Sequence, residues 1–498
     1  MRIVIDLQGA QNESRFRGIG RYTLALTKGI LRNNVNHEII LALNGSFPDS
    51  IVPICYVFEG ILPQENIRIW KTPGPVSHCN RKNDWRRQAT EIVREAFFLS
   101  LDPDVVLISS MFEGAGDDVV TSIGRFTDKI PNAIILYDLI PLLYRDAYLG
   151  NAALVRWYKE KLEYLTNADI CLAISESTRQ DAINHLQLPP EKVFNISTAA
   201  DEKFRKTSTP LTIQKQIFER LNINRPYVMY SGASDPRKNH TRLISSYANL
   251  PMRLRSSHQL VIAGVMPQDH IQAFKMHAQS VGLTADEMVI AGHIEDEVMI
   301  GLYNLCKCFI FPTLHEGFGL PALEAMSCGA AVIGSNTSSV PEVIGNKEAL
   351  FDPLSEASIT EKLNQILTDN DFRERLIKHG MEQSKTFSWD ITAKRAIAAL
   401  ERLVKTATHT TTTLNGINPL ARDEELITNL IATIAGLKSQ PQDKDCLRNL
   451  ARCINNSFPN AGSEHDLLSH ISKLVRFNTR ARIRHVAQHI SRRFCAFF

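Results

Sequence analysis

Short β-branched apolar runs alternate along the chain with stretches of helical period, the pattern of parallel strands buried on both faces beneath covering helices. A first set comprises Arg2–Asp6 (RIVID), Asp104–Ile108 (DVVLI), Ala133–Asp138 (AIILYD), Asp169–Ser175 (DICLAIS) and Lys192–Ser197 (KVFNIS). A polar stretch from Lys203 to Pro226 carries few strand signals, and a second set then resumes at Tyr227–Gly232, Gln259–Gly264, Cys308–Pro312 and Ala330–Gly334. This repetition predicts an α/β fold of two doubly wound parallel-sheet domains. Such sheets bind ligands beyond the carboxyl ends of their strands, so the expected site is the cleft between them.

From Ser355 to Thr406 the period is helical, and a Thr-rich run ending in Gly416 and Pro419 follows. Those turn signals mark a second linker. Beyond about Ala421 only helical patterns remain. The chain is therefore expected to divide into residues 1–205, residues 206–390, a crossover helix and linker at 391–410, and a separate helical appendage at 411–498.

Composition narrows the class. A length of 498 residues exceeds one ordinary core, and 44% hydrophobic with 22% charged residues is a globular balance. A net charge of +3 gives no global drive toward polyanions, and no nucleic acid partner is expected. The nine cysteines form no CxxC pair. The nearest two, Cys306 and Cys308, are expected to point the same way along a strand, which does not close a zinc site. The sequence Met1–Ala10 reads as a first strand without a long apolar core, and no later stretch reaches a membrane span, so a cytoplasmic location is expected.

The candidate chemistry gathers in three places. In the stretch Pro312–Ile333, Glu316 and Glu324 flank a Gly317-Phe318-Gly319-Leu320-Pro321 turn, with Pro321 placed to open a helix. Free N–H groups at such a helix start seat a phosphate, and carboxylates on either side suit the hydroxyl pairs of sugars. The other reading of the pair is one acid complementing the helix dipole and one unrelated loop acid. After the first strand of the second domain, Gly232 leads to Arg237 and Lys238 at a strand-to-helix corner. Adjacent cations there suit a departing diphosphate. In the first domain Gly18 and Gly20 precede a helix and allow close backbone approach. They lack the third glycine of a dinucleotide fingerprint, and a plain helix-entry turn is the competing reading.

Together, SGASDPRKN, GHIEDEVMIGLYNLC and HEGFGLPALEAMSCGAAVI, with the Gly-rich N-terminal loop, resemble the retaining nucleotide-sugar glycosyltransferases of family 4, over roughly residues 1–405. The YDLIPLLY and SGASDPRKNH stretches are similar to bacterial mannosyltransferases of O-antigen and capsule assembly that use GDP-mannose. The resemblance implies two Rossmann-like domains of GT-B architecture, acceptor-side at 1–205 and nucleotide-sugar-binding at 206–390. By the same resemblance Glu316 meets the donor sugar's hydroxyls, Glu324 the ribose, Arg237 and Lys238 the diphosphate, and Phe318, Gly319 and Leu320 the sugar-phosphate region. His293 and Ile294 are implied beside the base, and Gly18, Gly20 and Gly232 against the donor. Asp138, with Tyr137, Ser175 and Arg179, is implied on the acceptor side. Many relatives place a histidine before the aspartate where this chain has Tyr137. Whether Asp138 or a backbone carbonyl faces the reacting carbon therefore stays open, as does a turn-capping role for Asp138.

The implied mechanism is same-face attack by an acceptor hydroxyl, with a phosphate oxygen taking the proton and fixed dipoles stabilising the leaving group. No cofactor and no essential metal are expected. The DPD at Asp102–Asp104 leads into a strand and suits a turn. An implied acceptor is a lipid-linked oligosaccharide or polysaccharide. From Leu467 to Phe498 there are seven Lys or Arg (Lys473, Arg476, Arg480, Arg482, Arg484, Arg492, Arg493) and no acid, among apolar residues at near-helical spacing. That tail reads equally as an anionic-membrane anchor, placing the protein peripherally on the inner face of the cytoplasmic membrane, or as a packed helix with a solvated basic face. Partner enzymes of polysaccharide assembly are a further reading for it. A nucleotide-sugar epimerase or phosphorylase on a similar scaffold and a non-catalytic assembly scaffold are the competing functions.

Overall fold

The computed structural model describes residues 1–127, 130–208, 210–407, 419–437, 441, 444–458, 461 and 463–476. Thirteen strands form two all-parallel sheets. The N-terminal sheet contains β1 (Arg2–Asp6), β2 (Glu38–Asn44), β3 (Ile67–Trp70), β4 (Val105–Ile108), β5 (Asn132–Leu136), β6 (Ile170–Ala173) and β7 (Val193–Asn195), in the order β3-β2-β1-β4-β5-β6-β7. The C-terminal sheet contains β8 (Tyr227–Ser231), β9 (Gln259–Ala263), β10 (Met288–Gly292), β11 (Cys308–Phe311), β12 (Val332–Ser335) and β13 (Leu350–Phe351), in the order β10-β9-β8-β11-β12-β13. In both sheets the order reverses beside the first strand, which opens a crevice at the strands' carboxyl ends. The expected two doubly wound domains are present.

Alternation along the strands assigns each face of the N-terminal sheet to a different core. Ile3, Ile5, Leu41, Leu43, Val105 and Leu107 pack with the helix Gly18–Asn33. Val4, Ile40, Ala42, Val106 and Ile108 point the other way, toward the helix Asp84–Ser100. A period of two does this wherever both faces are covered. At the end of β1 the buried Asp6 carboxylate accepts hydrogen bonds from Arg94 Nε and Nη2 at 3.1 and 2.6 Å, which fixes the Asp84 helix against the strand's carboxyl end.

Three expectations change. The stretch between the lobes is not a bare linker: it contains the helix Leu211–Leu221, whose Ile217 and Leu221 enter the C-terminal lobe's core. The crossover helix starts at Trp389 and runs to Ala407, returning to the N-terminal lobe along the Gly18 helix. Trp389 stacks edge-on against Tyr22 at 5.1 Å, and Arg32 pairs with Asp390 at 3.0 Å. The helices Pro419–Ala435, Lys444–Ser457 and Glu464–Arg476 are not a separate body. Leu430, Leu450, Ile454, Leu467 and Ile471 share the core of the Asp84 helix, because that helix offers an apolar stripe beyond what the sheet covers. The basic tail beyond Arg476 lies outside the described residues.

Smaller corrections follow the same physics. Cys308 sits in β11, but Cys306 belongs to the cap of the helix Asp296–Leu305, so the two do not share a strand. The strands β2, β3, β10 and β13 are additional to those read from the sequence. Edge strand β3 exposes Arg68 and Ile69, and β13 is two residues long, so neither shows a buried run. Among the described residues no helix is long and apolar enough to cross a membrane.

Candidate active site

The site is built from three loops of the C-terminal lobe and two segments of the N-terminal lobe that close on them. After β11 the chain turns through Pro312–Gly319 and enters the helix Leu320–Ser327. Gly319 makes the entry with φ of 110°, a conformation few side chains tolerate, and Pro321 occupies the second helical position rather than the first. No side chain caps this helix start. The N–H groups of Phe318 and Gly319 ahead of the helix and of Leu320 at its first position have no acceptor among the described residues and are suited to an anion. The Phe318 ring is turned inward against Phe387 at 5.5 Å, while its carbonyl accepts from Ser339 Oγ at 2.6 Å, so the turn is held from behind.

Glu316 is the centre of charge. Its Oε1 accepts from Lys238 Nζ at 2.5 Å and from Thr313 Oγ1 at 2.8 Å, and its Oε2 accepts from Arg237 Nη1 at 2.8 Å. Burial pushes this carboxyl up, but Lys238 and Arg237 outweigh burial and hold it below the usual carboxylate range. The carboxylate form of Glu316 is thus favoured in this setting. Arg237 and Lys238 reach it because they follow β8 on a short turn, Pro236–Lys238, whose first N–H groups Asp235 caps through Oδ1 at 3.1 Å from Arg237 N. Lys238 also lies over the Phe311 ring at 5.7 Å. Asp235 lies 3.6 Å from Arg237 Nε as well, so two cations and two carboxylates meet here, and it is the placement of the cations beside the open helix start that suits a diphosphate.

Glu324, one turn into the helix, has a different environment. Its carboxyl is enclosed and accepts from Tyr303 Oη at 3.2 Å, and burial pushes its pKa up to about 7. Arg21 of the N-terminal lobe and Lys203 draw near the same corner through Asp296, at 3.6 and 2.6 Å. His293 is exposed and Ile294 buried on the turn from β10 into the Asp296 helix. Gly232 lies directly after β8, beside the Arg237 turn.

The first-domain candidates fare unevenly. Gly18 and Gly20 lie inside the first turn of their helix rather than before it. A Cβ on Gly20 would meet the Arg15 backbone at 2.4 Å, so Gly20 serves packing; a Cβ on Gly18 would meet nothing within 4 Å, which leaves that position open to a ligand. Asp138 lies two residues past the end of β5 and accepts from Ile140 N at 2.9 Å. The turn-capping reading therefore has a direct contact. Burial raises its pKa, and its charge is felt together with those of Arg237, Glu316 and His315, so it does border the site. Tyr137 turns its hydroxyl inward to Thr23 and the Ser109 carbonyl. Ser175 caps the helix Glu176–Leu186 through Thr178 N at 2.9 Å, and Arg179 donates to the Val193 carbonyl and Glu176. Tyr137 and Arg179 are occupied within their own lobe, while Ser175 also adjoins Glu342 of the other lobe.

The lobes meet through Gly317 and the 175–179 stretch, both named from the sequence, and through Glu342, His315 and Tyr148, which were not. Thr178 Oγ1 donates to the Gly317 carbonyl at 3.1 Å, and a Cβ on Gly317 would strike the Tyr137 carbonyl at 2.5 Å. Glu342 accepts from the N–H groups of Glu176 and Ser177, capping a helix of the opposite lobe. His315 faces Asp181 at 3.2 Å, and Tyr148 reaches both Asp235 and Arg237. The Asp-Pro pair before Arg237 was a readable capping signal. Nothing local announced the partners across the cleft. Among the described residues no group of three His, Cys, Asp or Glu is placed to hold a metal ion.

Two doubly wound lobes facing one charged cleft form the GT-B architecture. The solved structures it resembles share that fold: Anabaena Alr3699/HepE in complex with UDP and glucose superposes with a TM-score of 0.57 at 16% identity, covering 82% of this chain and 100% of that one. Sucrose-phosphate synthase from Thermosynechococcus elongatus gives a TM-score of 0.60 at 19% identity, covering 82% and 100%.

Residues 213–383 match the family model described as Glycosyl transferases group 1. The chain is 35% identical over 413 residues, 82% of its length, to the serotype-specific mannosyltransferase WbdA of Escherichia coli, and 30% identical over 251 residues to the O-antigen chain mannosyltransferase B of the same species. The chain spans about half the length of WbdA, 49% of it, and the match to the second relative covers 50% of this chain and 65% of that protein.

Proposed function

We propose that the protein transfers mannose, with retention of configuration, from GDP-mannose to a growing, lipid-linked bacterial surface polysaccharide such as O-antigen. The observation that carries this reading is the Glu316–Arg237–Lys238 cluster beside the uncapped start of the Leu320 helix. Cations and free N–H groups converge where a diphosphate leaves, and a fixed carboxylate lies within reach of sugar hydroxyls. The choice of mannose and of an O-antigen acceptor is supported by the relatives' names.

The geometry suggests a division of labour. The ammonium, the guanidinium and the helix start would neutralise charge as the glycosyl bond breaks, in a cleft that excludes water when shut. Glu316 would hold the two cations in place before substrate arrives and orient the sugar once it does. Glu324, with its raised pKa, is suited to gripping a hydroxyl pair.

The test is a product assay. The protein is incubated with GDP-mannose and a mannose-terminated acceptor, and the new linkage is read by NMR. An α-mannoside formed only with acceptor present supports the proposal. Conversion of the donor to another sugar nucleotide, or transfer from UDP-glucose alone, contradicts it.

A further inference from the structure

The guanidinium of Arg237 is held on two sides. Nη1 donates to Glu316 Oε2 and to the His315 carbonyl, both at 2.8 Å, and those partners belong to its own lobe. Nε donates to the hydroxyl of Tyr148 at 3.2 Å, and Tyr148 belongs to the other lobe, on the short helix Arg145–Tyr148. That hydroxyl in turn donates to Asp235 Oδ2 at 2.5 Å. The second oxygen of Asp235 caps the very turn that carries Arg237. A planar guanidinium with Nε and Nη1 both fixed has one orientation left, and its Nη2 is the edge without a hydrogen-bond partner among the described residues.

We infer that Tyr148 is a positioning residue which, on closure of the lobes, turns Arg237 so that its Nη2 edge meets the donor's diphosphate. The inference rests on the proposed nucleotide-sugar reading of this cleft. Glu316 and the His315 carbonyl hold Nη1 within its own lobe, and the Tyr148 hydroxyl adds the constraint on Nε from the other lobe, so the final orientation of the guanidinium is tied to closure. A cleft that is open, with a donor bound and no acceptor shielding it from water, would lack that last constraint. Tyr148 touches no reacting atom in this scheme. Its hydroxyl acts through Arg237, and Asp235 holds that hydroxyl by accepting its proton's hydrogen bond.

The test is calorimetric and uses the full chain with GDP, UDP, ADP and the matching monophosphates. Tyr148→Phe should weaken binding of the favoured diphosphate by about 5- to 10-fold and leave its monophosphate within about 2-fold, since only a contact to the terminal phosphate is lost. Arg237→Ala should show the same selectivity. Because both changes remove one contact, the double variant should be no more than about 2-fold weaker than Arg237→Ala alone. Asp235→Asn should shift the diphosphate the same way, and it carries the test if Tyr148→Phe does not fold. Wild-type diphosphate affinity in Tyr148→Phe, equal losses for monophosphate and diphosphate, or losses that multiply in the double variant overturn the inference. If UDP binds and GDP does not, the proposed donor is wrong while Tyr148 is still judged on UDP. A wild-type protein that binds no nucleoside diphosphate overturns both.

Discussion

The two edges of the cleft are made differently. On the C-terminal side, two loops bring Glu316, Arg237 and Lys238 into one charged cluster beside the Gly319 turn, and Glu324 lies in the helix that follows. On the N-terminal side, the candidates Tyr137 and Arg179 are spent on their own lobe's hydroxyls and carbonyls, and Ser175 caps a helix while adjoining Glu342 of the other lobe. The contrast shows what each edge has to do. A diphosphate needs preorganised positive charge that costs free energy to assemble and so must be fixed beforehand. The opposite edge in this structure mainly supplies closure contacts, through Thr178, Tyr148 and the backbone of Glu176 and Ser177.

The sharpest break of that comparison is Glu316→Ala. It should lower transfer by about 1,000-fold or more, the scale of removing a principal electrostatic group, while Ser175→Ala leaves the chemical step within about 3-fold. Steady-state rates for the two purified variants check this. Glu316→Ala also leaves Arg237 and Lys238 facing each other without their shared anion. The unfolding midpoint should drop, by about 3 kcal/mol at most because the cleft admits water. Chemical denaturation measures it, and a variant that transfers sugar at the wild-type rate would remove Glu316 from the account.

A smaller effect separates the two carboxylates of the same edge. Burial lifts Glu324 to about 7, above the ordinary carboxylate value of 4.5. A folded-state pKa above the unfolded one means that the native state holds the proton more tightly. The stability this group contributes is complete below about pH 4.5 and is lost as pH rises through about 7. The ligand-free protein should therefore lose about 2 kcal/mol between pH 5 and 8 on account of Glu324, since each tenfold change in proton affinity is worth about 1.4 kcal/mol and the side chain is partly exposed. Glu324→Gln should be free of that loss, so the two stability curves should converge at pH 5 and part at pH 8. Glu316 has the opposite sign: its lowered pKa stabilises above the unfolded value and fails only as pH falls through the acid range. Parallel curves for Glu324→Gln and wild type would contradict the enclosed carboxyl.

The smallest effect tests the occupied N-terminal edge. Ser175→Ala removes the cap of the Glu176 helix and should cost about 1 kcal/mol without altering nucleotide affinity. If calorimetry instead shows a weakened donor, Ser175 does more than cap.

How much of this was legible follows from where the information sits in the chain. Strands buried on both faces, such as β1 and β11, announce themselves because consecutive positions, Ile3–Ile5 and Cys308–Phe311, are apolar. Edge strand β3 and the two-residue β13 do not, since solvent covers part of them. The C-terminal cluster was readable because each piece is local: an Asp-Pro-Arg-Lys turn after a strand, and two acids around a glycine turn. The N-terminal candidates lay at the correct ends of their strands, but no pattern tells a Ser that caps a helix from one that meets a substrate. The Tyr148–Asp235–Arg237 contact joins residues 87 and 89 positions apart, so local periodicity is silent about it. The appendage was readable as helices. That it completes a core against Asp84–Ser100 required seeing how much apolar surface the sheet leaves uncovered.

The central claim is that a diphosphate sits between the Leu320 helix start and the Arg237–Lys238 pair. The most direct measurement is a crystal structure of the full chain with GDP-mannose or GDP bound. The account predicts density for both phosphates within hydrogen-bond reach of Lys238 Nζ and the Arg237 guanidinium, with the Gly319 turn facing them. A bound nucleotide whose phosphates lie elsewhere, with Glu316 still holding both cations as in the ligand-free cleft, would contradict it.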